Sequence, residues 1–534
     1  MEWARCRLLT AVIFLALGAV GLRDLGAQVK DSAPAPAVRK PTTAEDLQMF
    51  SQVLNQIRVN HPDSIDTHRL FMAAVQGMVT AADPHSFVIP ALRLDAAKED
   101  AFREGRLNPV PVTFRFVGGD PIVVSVAVGS RASRLDILPG DELIAIDGRP
   151  VVAESATELE VGLAGAQGTS VALTLERRRL DGTIAHLTRM VEREKYEESS
   201  AVPVAVLLDA ETGYVRVTSF MSSRVADDLH AALGRLEGMG MHRLVLDLRD
   251  NGGGSIQQAA QVAGEFLPAG ALVYSTEGRK ADAVSEGRVS RSFWRRERRY
   301  PIVLMVNEGT ASASELVAGA LQDHDRALIV GRPTFGKALM MGTFPLTDGS
   351  VFVLVIGHVK TPCGRVVQRQ YQSITRRDYY RLAIAERDTA GRPSCKTDGG
   401  RTVYGGGGIY PDVMVGARDP VPLWLARARE QDLVVKWVNN YLSTSERFPT
   451  VEAIVAQASI GSPALADFRA FAAKESIIIP TGAEADDALS RALLQAIAYA
   501  KFGAPGLYRL TAVHDPELAT AVGVFAHAQA ILGK

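Results

Sequence analysis

The chain has almost no net charge: 59 Lys and Arg stand against 60 Asp and Glu, leaving −1. A whole-molecule field of the kind that gathers nucleic acid is therefore not indicated. Charged residues make up 22% and apolar residues 47%, so the bias that defines disordered chains is missing too. No internal repeat is present, and no histidine pair has the H-E-x-x-H spacing of a catalytic zinc site. After the N-terminal apolar run at 8–22 there is no second long apolar segment, and the run itself is short for a membrane span of ~20 residues. Cysteine is scarce: Cys6, Cys363 and Cys395 are the three present.

The N-terminus carries positive information. Arg5 and Arg7 precede the apolar run, and Leu25-Gly26-Ala27 follows it. This is the layout of a secretory signal peptide cleaved after Ala27, which places the mature chain outside the cytoplasm, in a periplasm or medium. Arg23 and Asp24 lie close to the cleavage point and leave an uncleaved membrane anchor as the alternative. Cys363 and Cys395 then sit in a compartment that permits disulfides, and either pair or stay as two structural thiols.

With 534 residues, more than one core is expected. The signal segment 1–27 and a Pro/Ala linker at 28–41 come first, then a helical region at 42–107. In that region Thr43 with Asp46 reads as a capping box. Leu47, Phe50, Leu54 and Ile57 recur at helical spacing, as do Leu70, Ala74 and Met78 in a second helix at about 66–80. Residues 108–196 read as a small β-rich module. From 197 to 415, short buried-strand runs (GYVRVTSF, RLVLDL, PIVLMV, ALIV) alternate with helices near 222–238, 255–267 and 313–322. That alternation predicts an α/β core with a mainly parallel sheet. The remainder, 416–534, is predicted helical, with Leu489, Leu493, Ala496 and Ile497 on one stripe. Asp515-Pro516 is predicted to open a last helix. Basic runs at 177–179, 295–296 and 298–299 are expected to be solvated faces.

Three segments carry chemistry: LDLRDNGGG at 246–254, NEGTASASE at 307–315 and PTFGK at 333–337. Each follows a predicted strand, and strand-end turns on one edge of a parallel sheet are where such folds place their sites. Ser312 falls where a helix begins. A hydroxyl there can attack a carbonyl while nearby N–H groups hold the oxyanion. The bland alternative is that Ser312, with Glu315, only caps the helix. Residues 331–337 also fit G-x-x-x-x-G-K, but Ala338 stands where a magnesium-binding hydroxyl belongs, which argues against a phosphate loop. His85, His324 and His358 lie near these segments and read as structural, and the glycines at 405–408 as a loop.

The ordered set resembles the carboxyl-terminal processing, or tail-specific, serine peptidases. It comprises DPHS at 83–86, LPGDELIAIDG at 138–148, LDLRDNGGG, GTASASELVAGALQD at 309–323, VGRPTFGK at 330–337, TPCGR at 361–365 and GIYPDV at 409–413. The resemblance implies a peptidase core of the crotonase/Clp-protease type at 197–415 with a PDZ domain at 108–196. It implies Ser312 as nucleophile and Lys337 as general base. It implies the Ala313 and Gly254 amides as the oxyanion hole, with Gly253 as the close alternative to Gly254. Neither metal nor cofactor is implied. Polypeptides are the expected substrates, nucleic acid is not a partner, and an adaptor protein or an oligomer is compatible. Two positions depart from the family. Met341 stands where many members carry a glutamine that orients the lysine, and PVTFRF at 111–116 replaces the glycine-rich carboxylate-binding loop of a PDZ domain. Residues 366–404 look inserted. The rival readings are a catalytically impaired PDZ scaffold and a hydrolase of small esters or amides.

Overall fold

The computed structural model describes residues 42–89, 96–117, 120–127, 130–153, 155–178, 183–195, 200–290, 298–372, 374, 376–385, 388–416, 421–443, 448–457 and 459–532. The expected signal segment and linker lie outside these, as do Arg179, Arg295 and Arg296. Two compact units emerge, one ending at Ala74 and the other beginning at Val75.

In the first unit, α1 (Thr43–Asn60) starts at the residue expected to cap it. Thr42, not Thr43, is the N-cap, and its partner is Glu45, not Asp46. Thr42 alone has the extended backbone a cap requires. Helix α2 (Thr67–Ala82) crosses the boundary between the units. The apolar spacing identifies both helices but not their burial: α1 buries no residue, and Leu47 and Met78 are 63% and 68% exposed.

In the second unit, Asp83 closes a turn by accepting hydrogen bonds from the His85 and Ser86 amides, both at 2.7 Å. The chain then forms β1 (Phe87–Ile89) and α3 (Ala96–Arg103). An antiparallel sheet follows: β2 (Val112–Val117), β3 (Asp120–Val126), β4 (Glu142–Ile146), β5 (Arg149–Pro150), α4 (Ala156–Leu163), β6 (Ser170–Arg178) and β7 (Ile184–Glu192). The order is β2-β3-β4-β6-β7, so β2 is an edge strand, and α4 packs against it. Alternate residues Val171, Leu173 and Leu175 of β6 point into this module's core with Leu143, Leu159 and Leu163. Arg177 is not a solvated charge. It forks onto the buried carboxylate of Asp141 at 2.7 and 2.8 Å, fixing the LPGD turn.

The larger core begins with β8 (Val204–Leu207), β9 (Thr212–Arg216), α5 (Val225–Gly238), β10 (Arg243–Asp247), α6 (Ile256–Ala263), β11 (Leu272–Gly278) and β12 (Ser285–Arg288). It continues through β13 (Ile302–Val306), α7 (Ala313–Asp323), β14 (Leu328–Gly331), β15 (Leu339–Pro345) and β16 (Val351–Lys360). The inserted region supplies α8 (Arg376–Ala385), β17 (Ser394–Lys396) and β18 (Thr402–Tyr404), after which β19 (Val413–Met414) returns to the main sheet. That sheet has the order β19-β14-β13-β10-β9-β8, parallel except for β8 against β9. A second, antiparallel sheet joins β1, β16, β11 and β12, with β15 on β16. Cys363 and Cys395 form a disulfide, which settles the two open readings in favour of a staple across the insertion. Arg298, expected in solvent, lies between Glu237 and Glu265.

The main sheet is apolar on both faces, as a covered parallel sheet must be. Leu244, Leu246, Leu304 and Val306 join one cluster with α5, α6 and α7. Their neighbours Val245, Val303 and Met305 join another with Leu518, Ala521 and Phe525. The second face is therefore covered by α14 (Pro516–Gly523) and α15 (Phe525–Leu532). They follow α9 (Leu423–Glu430), α10 (Leu433–Ser443), α11 (Val451–Val455), α12 (Ser462–Lys474) and α13 (Ala483–Val513), which build a separate cluster around Trp437 and Phe468. The 416–534 region thus packs in two parts. Asp515 does cap the helix at Pro516, but α15 comes after it.

Candidate active site

The main sheet's register sets the C-terminal ends of β10, β13 and β14 side by side: Asp247 pairs with Met305, and Val306 with Gly331. The turns that leave these ends are the three segments singled out in the sequence. Side-chain amides pin the first two to each other. Asn307 Oδ1 accepts from the Asp250 and Gly309 amides at 2.9 and 3.0 Å. Asn251 Oδ1 accepts from the Gly253 amide at 3.0 Å, and its carbonyl accepts from the Ala311 amide at 3.0 Å and the Ser314 hydroxyl at 2.9 Å.

Ser312 is the N-cap of α7 with φ 58° and ψ −121°. A side chain at positive φ costs about 1–3 kcal/mol and persists only where the surroundings impose it. Ser312 and Glu315 have the outline of a capping box, and one arm forms fully: the Ser312 amide donates to Glu315 Oε2 at 2.9 Å. The Glu315 amide, however, donates to the Ser312 carbonyl oxygen at 2.8 Å, and the Ser312 hydroxyl makes no cap hydrogen bond.

Glu315 is fully buried and also receives the third turn. The Gly336 amide donates to Oε1 at 2.7 Å and the Lys337 amide to Oε2 at 2.8 Å, while Thr334 Oγ1 donates to Oε1. Burial pushes this carboxyl's pKa up, against the lowering pull of Thr334 and the three amides. The turn's N–H groups thus face a carboxylate, not a phosphate, which disposes of the phosphate-loop pattern at 331–337. Ser312 and Lys337 are partly exposed, and their backbones meet at one oxygen.

The glycines of the first turn are there for close approach. A Cβ on Gly253 (φ 95°) would stand 2.6 Å from the Ala311 carbonyl oxygen and 2.8 Å from Ser312 Cβ. One on Gly254 (φ 145°) would stand 2.3 Å from the Phe220 carbonyl carbon. Gly253 N–H is taken by Asn251. Among the described residues the N–H groups of Gly254 and Ala313 have no acceptor, which separates Gly254 from its neighbour as a free donor.

Beneath the first turn, fully buried Asp247 accepts from Tyr214, Arg216 and Arg249 at 2.8, 2.8 and 2.7 Å. Burial would raise its pKa, but the two guanidinium groups prevail and hold it at about 2. Of the histidines noted in the sequence, His324 bridges Asp398 and the Leu272 carbonyl at 2.7 and 2.8 Å, His85 packs edge-on to Tyr371 and Tyr379, and His358 lies in β16. Met341 lies in β15 opposite Val355 at a bulge. The glycines at 405–408 form a loop whose Gly408 packs against Thr334. Tyr379, from the insertion, donates to the Gly336 carbonyl at 2.6 Å. Sequence reasoning missed the organising role of Glu315, though the S-A-S-E spacing carried its signal. It also missed the role of Asn251, although that residue lies within the quoted LDLRDNGGG segment, and it missed Tyr379, for which no local pattern exists.

Residues 211–376 match the model of peptidase family S41. A carboxy-terminal-processing protease of Bartonella bacilliformis is 30% identical over 334 residues, covering 61% of this chain and 73% of that one. The chloroplastic carboxyl-terminal-processing peptidase 2 of Arabidopsis thaliana is 33% identical over 310 residues, covering 55% of this chain and 57% of its own length. A solved structure titled photosystem II D1 C-terminal processing protease aligns at 23% identity and TM-score 0.34, covering 71% of this chain and 95% of that one. The chain belongs to the S41 family of carboxyl-terminal processing proteases, and its class is that of a serine-type peptidase. Among the described residues no helix is long and apolar enough to cross a membrane.

Proposed function

We propose that the protein is an endopeptidase that cleaves polypeptides outside the cytoplasm by a Ser312–Lys337 dyad. The Lys337 amine takes the Ser312 hydroxyl proton as Oγ bonds to a peptide carbonyl carbon. The oxyanion rests on the Gly254 and Ala313 N–H groups. The tetrahedral adduct collapses, the C–N bond breaks, and Lys337 returns the proton to the leaving amine. Water then attacks the acyl-enzyme, giving its proton to Lys337. The ester bond breaks, the peptide leaves with a new C-terminus, and the proton goes back to Ser312.

The observation that carries this reading is the convergence of the Ser312 and Lys337 amides on Glu315 beside two open N–H donors. The module at 108–196 takes the part of a PDZ domain in this reading. Its edge strand β2 beside α4 offers unpaired backbone to an extended substrate C-terminus. The module boundaries at 108–196, 197–415 and 416–534 and the export of the chain are parts of the same proposal. Digestion of casein by wild type beside Ser312→Ala and Lys337→Ala tests it. Both variants should be inactive and folded, and steady cleavage by either removes the dyad. A scaffold without activity is the second reading, favoured by Met341 in place of an orienting glutamine. A wild-type protein that fails to cleave casein and small esters alike would establish it.

A further inference from the structure

Below the site, on the sheet face covered by the C-terminal helices, each of the three turns contributes one charged side chain to a single, largely buried cluster. Arg249 comes from the turn of Gly254, Glu308 from the turn of Ser312 and Arg332 from the turn of Lys337. Arg332 Nε donates to Glu308 Oε2 at 2.7 Å. The closing member comes from far along the chain. Glu517, in the first turn of α14, accepts from Arg332 Nη1 at 2.5 Å on Oε1 and from Arg249 Nη1 at 2.9 Å on Oε2. Asp515, the cap of the same helix, accepts from Arg249 Nη2 at 2.5 Å. Arg332, Arg249 and Glu517 are 0%, 3% and 8% exposed.

Resting on the reading of Ser312, Lys337 and Gly254 as reacting groups, we propose that Glu517 is a positioning residue that holds the oxyanion turn and the lysine turn at their working separation. The C-terminal helix pair would then be a part of the catalytic apparatus and not an appendage. The argument is one of geometry. Each oxygen of one rigid carboxylate binds a different turn, so neither turn can move along the sheet edge without breaking a bond to a buried guanidinium. Such a bond is short, charge-assisted and shielded from water, and buried Arg–carboxylate pairs fix geometry well even where they add little net stability. Glu315 ties the Ser312 and Lys337 turns from above. Glu517 is the side chain whose two oxygens tie the Gly254 turn to the Lys337 turn from below. Displacement of a reacting group by about 1 Å is enough to cost up to ~100-fold in rate.

The test uses the full chain. Glu517→Gln keeps the shape and removes the charge. The double variant Arg332→Met, Glu517→Met removes the bridge together with the charge it would otherwise leave unpaired. For each, kcat and KM on a fluorogenic peptide are measured per folded molecule, with the folded fraction read from circular dichroism. Acylation of Ser312 by a serine-directed probe is timed in parallel. The expected result is a fall in kcat and in the labelling rate of about 10- to 100-fold in both variants with KM within about 2-fold. Activity loss that merely tracks the unfolded fraction overturns the proposal, as does wild-type kcat in either folded variant. Ser312→Ala is run beside them. Cleavage by that variant removes the dyad itself, whereas an inert Ser312→Ala with wild-type kcat in Glu517→Gln removes the positioning role alone.

Discussion

The backbone amides of Ser312 and Lys337 donate to the same atom, Oε2 of Glu315, at 2.9 and 2.8 Å. A strand-to-helix turn and the next strand's exit turn are thereby held together by one buried side chain, itself fixed in the first turn of α7. The site follows from three features: adjacent strand ends, glycines that let the turns close, and one carboxylate with four donors.

Glu315→Gln tests the organiser. Both carboxylate oxygens accept two hydrogen bonds, so an amide must aim its NH2 group at two donors. Two or more buried donors lose their acceptor, and we expect a loss of about 2–4 kcal/mol in stability by urea unfolding. The folded remainder should label Ser312 at a much reduced rate. Wild-type stability and labelling would mean that Glu315 is dispensable.

Gly253→Ala and Gly254→Ala separate two roles. The first brings a methyl group against Ser312 Cβ at 2.8 Å and should shift the nucleophile. The second forces the turn away from Phe220 and moves the proposed donor, and should lower kcat by about 100-fold or more. Steady-state kinetics on a peptide substrate reads both, and unaltered kcat in Gly254→Ala would place the oxyanion elsewhere.

Acid stability has a sign fixed by Asp247. Its folded pKa of about 2 lies below the ordinary value of 3.8, so its contribution is complete above about pH 4 and is lost as pH falls toward 2. The size is about 2 kcal/mol. Urea midpoints measured across that window should fall with acidification. Asp247→Asn should be destabilised at every pH, since it leaves Arg216 and Arg249 buried with less compensating charge. A stability flat between pH 4 and 2 would contradict the assignment.

Much of the core was legible in the sequence because its strands are short, apolar on both faces and followed by glycine-rich turns. RLVLDL, PIVLMV and ALIV each appear as a strand of one parallel sheet. The positions of Ser312 and Lys337 at neighbouring strand ends followed from the same alternation. What could not be read were contacts between distant residues. Glu517 reaches Arg332 across the whole C-terminal region, and no periodicity records such a pairing. Arg177 and Arg298 read as surface charge because a run of arginines looks alike in solvent and in a buried fork. The Thr42 cap was misplaced by one residue because Thr42-Thr43 and Glu45-Asp46 offer two equivalent boxes in sequence, and backbone geometry alone decides between them.

The most direct measurement is the site and rate of covalent modification by a serine-directed acylating probe, followed by mass spectrometry in wild type and in Lys337→Ala. A single adduct on Ser312 that forms readily in wild type and is slowed by at least about 100-fold without Lys337 is the predicted result. Modification of Ser312 at equal rates in the two proteins, or of another serine in its place, would contradict it.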